Sequence, residues 1–164
     1  CLSDWSSDVC SSDLVRALIV GDGTLRPQLI DMARSLGVEH LVVFAGNRNQ
    51  EWIARVLPRA SVIVSPHMGR ALVEAGLSGV PIVAFDYDWQ REVVIDGETG
   101  FLVPNGDWLT MADRTESLLG DPETARRMGS HVRGKVAAMM DPVTLMHHEQ
   151  MAYARLMERW TSTR

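Results

Sequence analysis

One stretch of the chain restricts the fold more than any other: an apolar run, a glycine turn, a helical segment, a glycine and a second apolar run. Residues 62–64 are β-branched and predict a short buried strand, and Gly69 breaks the chain before a helical segment over 70–78. Gly79 supplies a helix stop, and residues 82–84 predict a second buried strand. This order indicates a βαβ crossover, which joins parallel strands in an α/β fold.

The start of the helix predicted over 70–78 is suited to an anion. The first amides of a helix have no acceptor within it, and the helix dipole places partial positive charge there. In a βαβ unit this end of the helix lies just beyond the carboxyl end of the preceding strand. The amides of Gly69, Arg70 and Ala71 are therefore predicted to bind a phosphate group.

The same order of strand, turn and helix occurs earlier in the chain. Residues 17–20 predict a strand that ends in Gly21-Asp22-Gly23, and a helical period follows up to Gly37. The glycine turn is equally compatible with a plain βα turn and with a ligand loop. The other predicted elements are strands 41–44 and 101–103, and helices 50–57, from near 89, 107–119, 122–136 and 143–160. Together they predict an α/β fold with a Rossmann-like parallel sheet flanked by helices and a helical C-terminal tail.

Polar residues at three helix starts suggest caps or a metal site. Asp121 and Asp141 each precede a proline, which predicts an N-cap followed by proline at the first helical position. Asp86, Asp88 and Glu92 lie close in sequence, but they lack the glycine and ligand spacing of a hard-cation loop. We expect one of these carboxylates to cap the helix that begins near residue 89.

Four short blocks follow the glycine turn in a fixed order and spacing. They are Ala-Leu-Val-Glu-Ala with Glu74, Ser-Gly-Val-Pro-Ile-Val-Ala over 78–84, Glu-Val-Val over 92–94, and Asp-Gly-Glu-Thr-Gly-Phe-Leu-Val-Pro over 96–104. In this order they resemble the C-terminal, nucleotide-sugar-binding half of a glycosyltransferase of family 4, which has the GT-B fold. The resemblance extends over about residues 15–140.

The resemblance implies a retaining enzyme that transfers a sugar from a nucleoside diphosphate, such as a UDP- or GDP-sugar, to an unidentified acceptor. It implies that Glu74 binds the ribose hydroxyls, that the 69–71 amides hold the phosphates and that Gly46 approaches the base. The donor-binding residues expected are Gly21, Gly23, Gly46, His67, Met68, Gly69, Arg70, Ala71, Leu72 and Glu74. No cofactor and no metal are expected, and no residue of this chain is assigned as the catalytic base or nucleophile.

One position departs from the family pattern. The family has a first glutamate, which contacts the donor sugar, eight positions before the second, and this chain has Pro66 there. His67, or the backbone of Met68 and Gly69, is a candidate for that contact.

The first fourteen residues form a separate expectation. They are rich in serine and aspartate, show no helical or strand period, and resemble a translated sequencing adaptor. We therefore predict three segments: a non-native one over 1–14, a nucleotide-sugar-binding domain over 15–140 that is incomplete at its N-terminus, and an amphipathic helix over 141–164.

Composition excludes several function classes. Without the aspartates at 4, 8 and 13 the net charge changes from −5 to −2, which gives no basis for nucleic-acid binding. No apolar run is long enough to span a membrane, and both cysteines lie within residues 1–14, so a cytoplasmic location is expected, with peripheral membrane contact left open. The sugar or lipid-linked acceptor is expected to bind through an N-terminal domain that this chain lacks.

Two alternatives remain open: a nucleotide-sugar epimerase of GT-B fold and a non-catalytic nucleotide-binding module. A dinucleotide oxidoreductase is disfavoured because no Gly-x-Gly-x-x-Gly follows the first strand.

Overall fold

The computed structural model describes residues 15–67 and 69–162 of the 164-residue chain. The predictions for residues 1–14 and for Met68 lie outside the described residues. The chain divides after Ile53 into two compact units, Cys1–Ile53 and Ala54–Arg164. The short helix α2 (Gln50–Val56) contains the point of division.

The described part of the first unit is built on two parallel strands and the helix that connects them. Strand β1 (Ala17–Val20) pairs with β2 (Val42–Gly46), and α1 (Arg26–Ser35) connects them. Gly37 follows α1 with φ +72°, in agreement with the predicted glycine stop. A single 3-10 turn precedes β2, so β2 begins one residue later than predicted.

The second unit is built on a parallel sheet in the order β3-β4-β5. Its elements are β3 (Ile63–Ser65), α3 (Arg70–Ser78), β4 (Ile82–Asp86), α4 (Gln90–Val93), β5 (Gly100–Pro104), α5 (Trp108–Gly120), α6 (Pro122–Met139) and α7 (Pro142–Ser162). Helix α3 has the predicted bounds, and Gly79 ends it in the left-handed conformation. The predicted α/β fold, with parallel sheets, flanking helices and a helical tail, is confirmed.

The central strand β4 is buried on both faces, which explains its continuous apolar sequence. Ile82 and Ala84 pack with α3, α4 and α6, whereas Val83 and Phe85 pack with β5, α5 and α6. Successive side chains of a strand point to opposite faces, so one strand supplies two cores. This rigid sheet fixes the positions of the loops at its carboxyl edge.

Helix α6 lies very close to the chain around α3. A Cβ at Gly76 would come within 2.6 Å of Val136 Cγ2, and a Cβ at Gly129 would overlap the carbonyl oxygen of Gly79. Glycine at these two positions therefore lets α3 and its C-terminal turn pack directly on α6.

Aspartates cap the last three helices. Asp107 accepts a hydrogen bond from the Thr110 amide at 3.0 Å, and Asp121 and Asp141 accept from the amides of Thr124 and Thr144 at 3.1 and 2.8 Å. The two Asp-Pro starts are thus confirmed as caps. The threonine hydroxyl and amide lower the pKa of Asp107 and of Asp141; for Asp121 the Thr124 amide is the larger cause.

Helix α7 exposes the apolar stripe that its sequence predicts. Leu145 is 47% exposed, Leu156 59% and Trp160 63%. Within the part of the chain that the structure describes, no helix is both long and apolar enough to cross a bilayer.

Candidate functional site

The site lies at the carboxyl edge of the β3-β4-β5 sheet. Ser65 of β3 is in register with Ala84 of β4, and Asp86 of β4 with Pro104 of β5. Because the strands are parallel, the loops that follow them leave from the same edge. The connection from β3 to α3 therefore lies beside the turn that follows β4.

Ser65 fixes the loop that precedes α3. Its side chain is buried at the end of β3, and its hydroxyl donates a 3.0 Å hydrogen bond to the carbonyl oxygen of His67. Pro66 and His67 are themselves exposed. The Ser65 hydroxyl thus fixes the backbone at His67, while the His67 imidazole is exposed to solvent, where a ligand can reach it.

Helix α3 begins without a capping side chain. Gly69 occupies the N-cap position with φ +140°, a conformation that residues with a Cβ rarely adopt. The Leu72 amide donates to the Gly69 carbonyl at 3.0 Å, so the amides of Arg70 and Ala71 precede the first bond of the helix. Leu72 has no exposed surface and lies in the core. It supports the turn, and the exposed amides before it can accept an anion.

Arg70 and Glu74 form an ion pair on the first turn of α3. Arg70 Nε lies 3.0 Å from Glu74 Oε1, and the two side chains are 83% and 17% exposed. The largely covered Glu74 carboxylate thus lies one turn after the start of the helix. One of its oxygens pairs with the exposed Arg70 guanidinium. Both residues are among the predicted donor-binding positions, but their pairing was not predicted, although a spacing of four is the signal for such a pair on a helix.

The turn after β4 is held by a different ion pair. Asp86 Oδ1 accepts from Arg91 Nε at 3.1 Å, and Asp86 Oδ2 accepts from Arg91 Nη2 at 2.8 Å. The prediction that a carboxylate caps α4 is wrong, because Trp89 is the N-cap and makes no side-chain bond there. Instead, the buried Gln90 side chain accepts the amide of Tyr87 at 3.1 Å. Arginine binds a carboxylate through two parallel hydrogen bonds, and this pairing is stronger than a single hydrogen bond to a helix amide.

Asp88 in this turn has φ +56°, which places it in the left-handed region. Aspartate is one of the few residues besides glycine that adopt this conformation, because its short polar side chain can form local hydrogen bonds.

Three predicted site glycines belong to the first unit. The Gly21 amide donates to the Gly46 carbonyl at 2.9 Å, which joins the ends of β1 and β2. The Gly23 amide donates to Asp22 Oδ1 at 2.9 Å, and a cavity of about 340 Å³ opens beside these two residues. Nearby, the Arg48 guanidinium lies 5.2 Å from the centre of the Trp52 ring. Two of the predicted positions are thus in contact, and the third lines the adjacent cavity.

Comparison with known proteins places this geometry in a family. Residues 8–135 match the sequence pattern of the family described as glycosyl transferases group 1, which is more than half of the chain. The chain belongs to this family. Its loop before α3, the glycine start of the helix and Glu74 are therefore parts of a group 1 glycosyltransferase domain.

Individual relatives agree with this assignment. The chain is 38% identical over 104 residues to a D-inositol 3-phosphate glycosyltransferase of Corynebacterium diphtheriae, covering 61% of this chain and 24% of that protein. It is 41% identical over 112 residues to a phosphatidyl-myo-inositol mannosyltransferase of Mycobacterium leprae, covering 65% of this chain and 29% of the relative. The chain thus spans about a quarter of the length of these curated relatives.

Solved structures show the same fold. Anabaena HepE in complex with UDP-glucose superposes with a TM-score of 0.75 at 26% identity, covering 86% of this chain and 41% of HepE. Sucrose-phosphate synthase of Thermosynechococcus elongatus gives 0.74 at 26% identity, over 87% of this chain and 38% of that one. Both are larger proteins that contain this α/β arrangement as one part.

Proposed function

We propose that this chain is the donor-binding part of a retaining family 4 glycosyltransferase, which transfers a sugar from a nucleoside diphosphate to an acceptor. The observation that carries the proposal is the covered carboxylate of Glu74, one turn behind a helix start that has no capping side chain. Membership of the glycosyl transferases group 1 family and the UDP-glucose complex of the similar HepE support it.

Each part of this arrangement has a role in holding a sugar nucleotide. The amides of Arg70 and Ala71, at the positive end of the α3 dipole, bind the diphosphate and stabilise the charge that develops on it as it leaves. Glu74, deeper on the same helix face, accepts hydrogen bonds from the two ribose hydroxyls. Ser65 keeps the backbone at His67 in place, so that this loop lines the sugar end of the donor.

The test is donor binding by Glu74 variants. We expect Glu74→Ala to weaken the binding of UDP-glucose or GDP-mannose by about tenfold or more, because a charge-assisted hydrogen bond to a covered carboxylate contributes about 1.5–3 kcal/mol. Glu74→Gln, which keeps one hydrogen-bond acceptor, should lose less donor affinity than Glu74→Ala. Titration calorimetry measures both, with Glu116→Gln on the exposed face of α5 as the control. Equal donor affinity in Glu74→Ala and the parent would refute the ribose role.

Pro66 favours a second candidate, a nucleotide-binding module without turnover. It stands where the resembling family has the glutamate that contacts the donor sugar, and it supplies no carboxylate. This candidate shares the nucleotide contacts of the first. It predicts that the chain binds UDP and UDP-glucose with the same affinity, whereas a donor-binding domain gains affinity from the sugar.

A further inference from the structure

We propose that Arg70 exchanges partners when the donor binds: its guanidinium leaves the Glu74 carboxylate and pairs with the diphosphate. The inference rests on the proposed function, because it concerns the same nucleotide site. It adds a latch that regulates access of the ribose to Glu74.

The first argument is the placement of Arg70. It is the first residue of α3, where the helix dipole disfavours a cation. Its side chain is 83% exposed, so packing gives little reason for an arginine at this position. The contact that offsets the unfavourable dipole is the 3.0 Å pair with Glu74.

The second argument is the asymmetry of the pair. Glu74 is 17% exposed, so its carboxylate stays near its present position, whereas the guanidinium is free to rotate through solvent. A solvated ion pair of this kind is weak and is readily broken by a stronger anion. A diphosphate at the amides of Arg70 and Ala71 is such an anion, and a guanidinium binds it with two parallel hydrogen bonds.

The exchange has a consequence for each half of the ligand. Without phosphate, the guanidinium competes with a ribose hydroxyl for Glu74 Oε1. With phosphate, it leaves that oxygen and adds its charge to the diphosphate site. The latch thus makes the binding of ribose and diphosphate cooperative, and it discriminates against nucleosides.

The experiment compares uridine with UDP in the parent chain and in Arg70→Ala. We expect Arg70→Ala to weaken UDP binding by about tenfold, because it loses a charge-assisted contact to the diphosphate. The same variant should strengthen uridine binding by about two- to fivefold, the range expected when an exposed ion pair no longer competes. Affinities come from calorimetry for UDP and from chemical-shift titration for uridine, with guanosine and GDP as a second pair of probes.

A control variant separates the latch from a general charge effect. Arg34→Ala removes a second exposed arginine that pairs with a carboxylate at 3.0 Å, that of Glu39 in the turn before β2. It should change neither affinity. Opposite changes for uridine and UDP in Arg70→Ala alone support the exchange.

Other outcomes overturn the inference in distinguishable ways. If Arg70→Ala weakens UDP but leaves uridine unchanged or weaker, Arg70 is a phosphate contact without a latch. If UDP binding does not change, Arg70 has no role in the occupied site. If the parent binds neither UDP nor GDP, the proposed function fails and the exchange fails with it.

Discussion

The starts of α3 and α6 present two ways of satisfying the same backbone groups. Asp121 accepts a hydrogen bond from the Thr124 amide at the start of α6, and α6 therefore carries its own anion there. Helix α3 begins instead at a glycine without a side-chain cap, and its first residue is Arg70. The first arrangement stabilises the fold, whereas the second leaves exposed amides for a ligand. At α3 the missing cap coincides with the covered Glu74 carboxylate one turn further along the helix, and this combination is the one proposed to bind the donor.

The largest effect is expected from giving α3 a cap of its own. Gly69→Asp would place a carboxylate beside the exposed amides, where it competes with the diphosphate and repels it. We expect UDP affinity to fall by about tenfold or more, measured by calorimetry. Gly69→Ala, which places a Cβ in the same conformation at φ +140° and adds no charge, is the control for backbone strain and should lose less UDP affinity than Gly69→Asp. If Gly69→Asp binds UDP as the parent does, the amides of α3 do not bind phosphate.

A smaller effect is expected from removing a cap elsewhere. Asp121→Ala deprives α6 of the acceptor for its Thr124 amide, and the thermal midpoint should fall by about 2–4 °C. Asp141→Ala should lower it less, because α7 buries little surface. Asp113→Ala, at an exposed position inside α5, is the control variant. All three variants should bind UDP as the parent does, and a loss of UDP affinity in Asp121→Ala would contradict the division between the two kinds of helix start.

The smallest effect concerns the dependence of stability on pH. Folding lowers the pKa of Asp107, Asp121 and Asp141 below their ordinary value of 3.8, through hydrogen bonds from the threonine three positions on. The unfolded chain therefore binds more protons in acid, and the stability from these caps is present above pH 3.8 and is lost as pH falls through the lowered pKa values.

Substituting asparagine at all three caps tests this directly. Asparagine still accepts the helix amide but does not titrate, so the triple variant should keep most of its stability at pH 7 and lose less than the parent between about pH 5 and 2. Thermal unfolding across this range measures the difference. Parallel curves for variant and parent would show that the acid sensitivity arises from other carboxylates.

Sequence patterns predicted the elements of this molecule well where local chemistry is decisive. The bounds of α3, the left-handed Gly79 after it and the Asp-Pro starts of α6 and α7 all follow from residues within one turn of the boundary. Strand β1 was predicted in full as well. These features depend on backbone preferences that neighbouring residues set.

The sequence prediction failed where two local solutions competed. Asp86 was expected to be among the carboxylates that could cap α4, but it pairs with Arg91, and Gln90 holds the turn from the buried side. A sequence lists the possible partners of a carboxylate and does not rank them. The partners are ranked by their distances from the carboxylate and by their burial, and both depend on how the turn folds back on the sheet.

The sequence by itself determined the α/β class, the βαβ unit and the glycine start of α3, because periodicity and backbone preference are local properties. Only the tertiary structure decided that the Glu74 carboxylate is covered while Arg70, its partner, is exposed. That difference depends on how α3 packs: Leu72 and Ala75 join the core with β4 and α6, and Arg70 stays outside it. Packing thus sets which atoms of a helix are left for a ligand, and residue spacing alone does not contain this information.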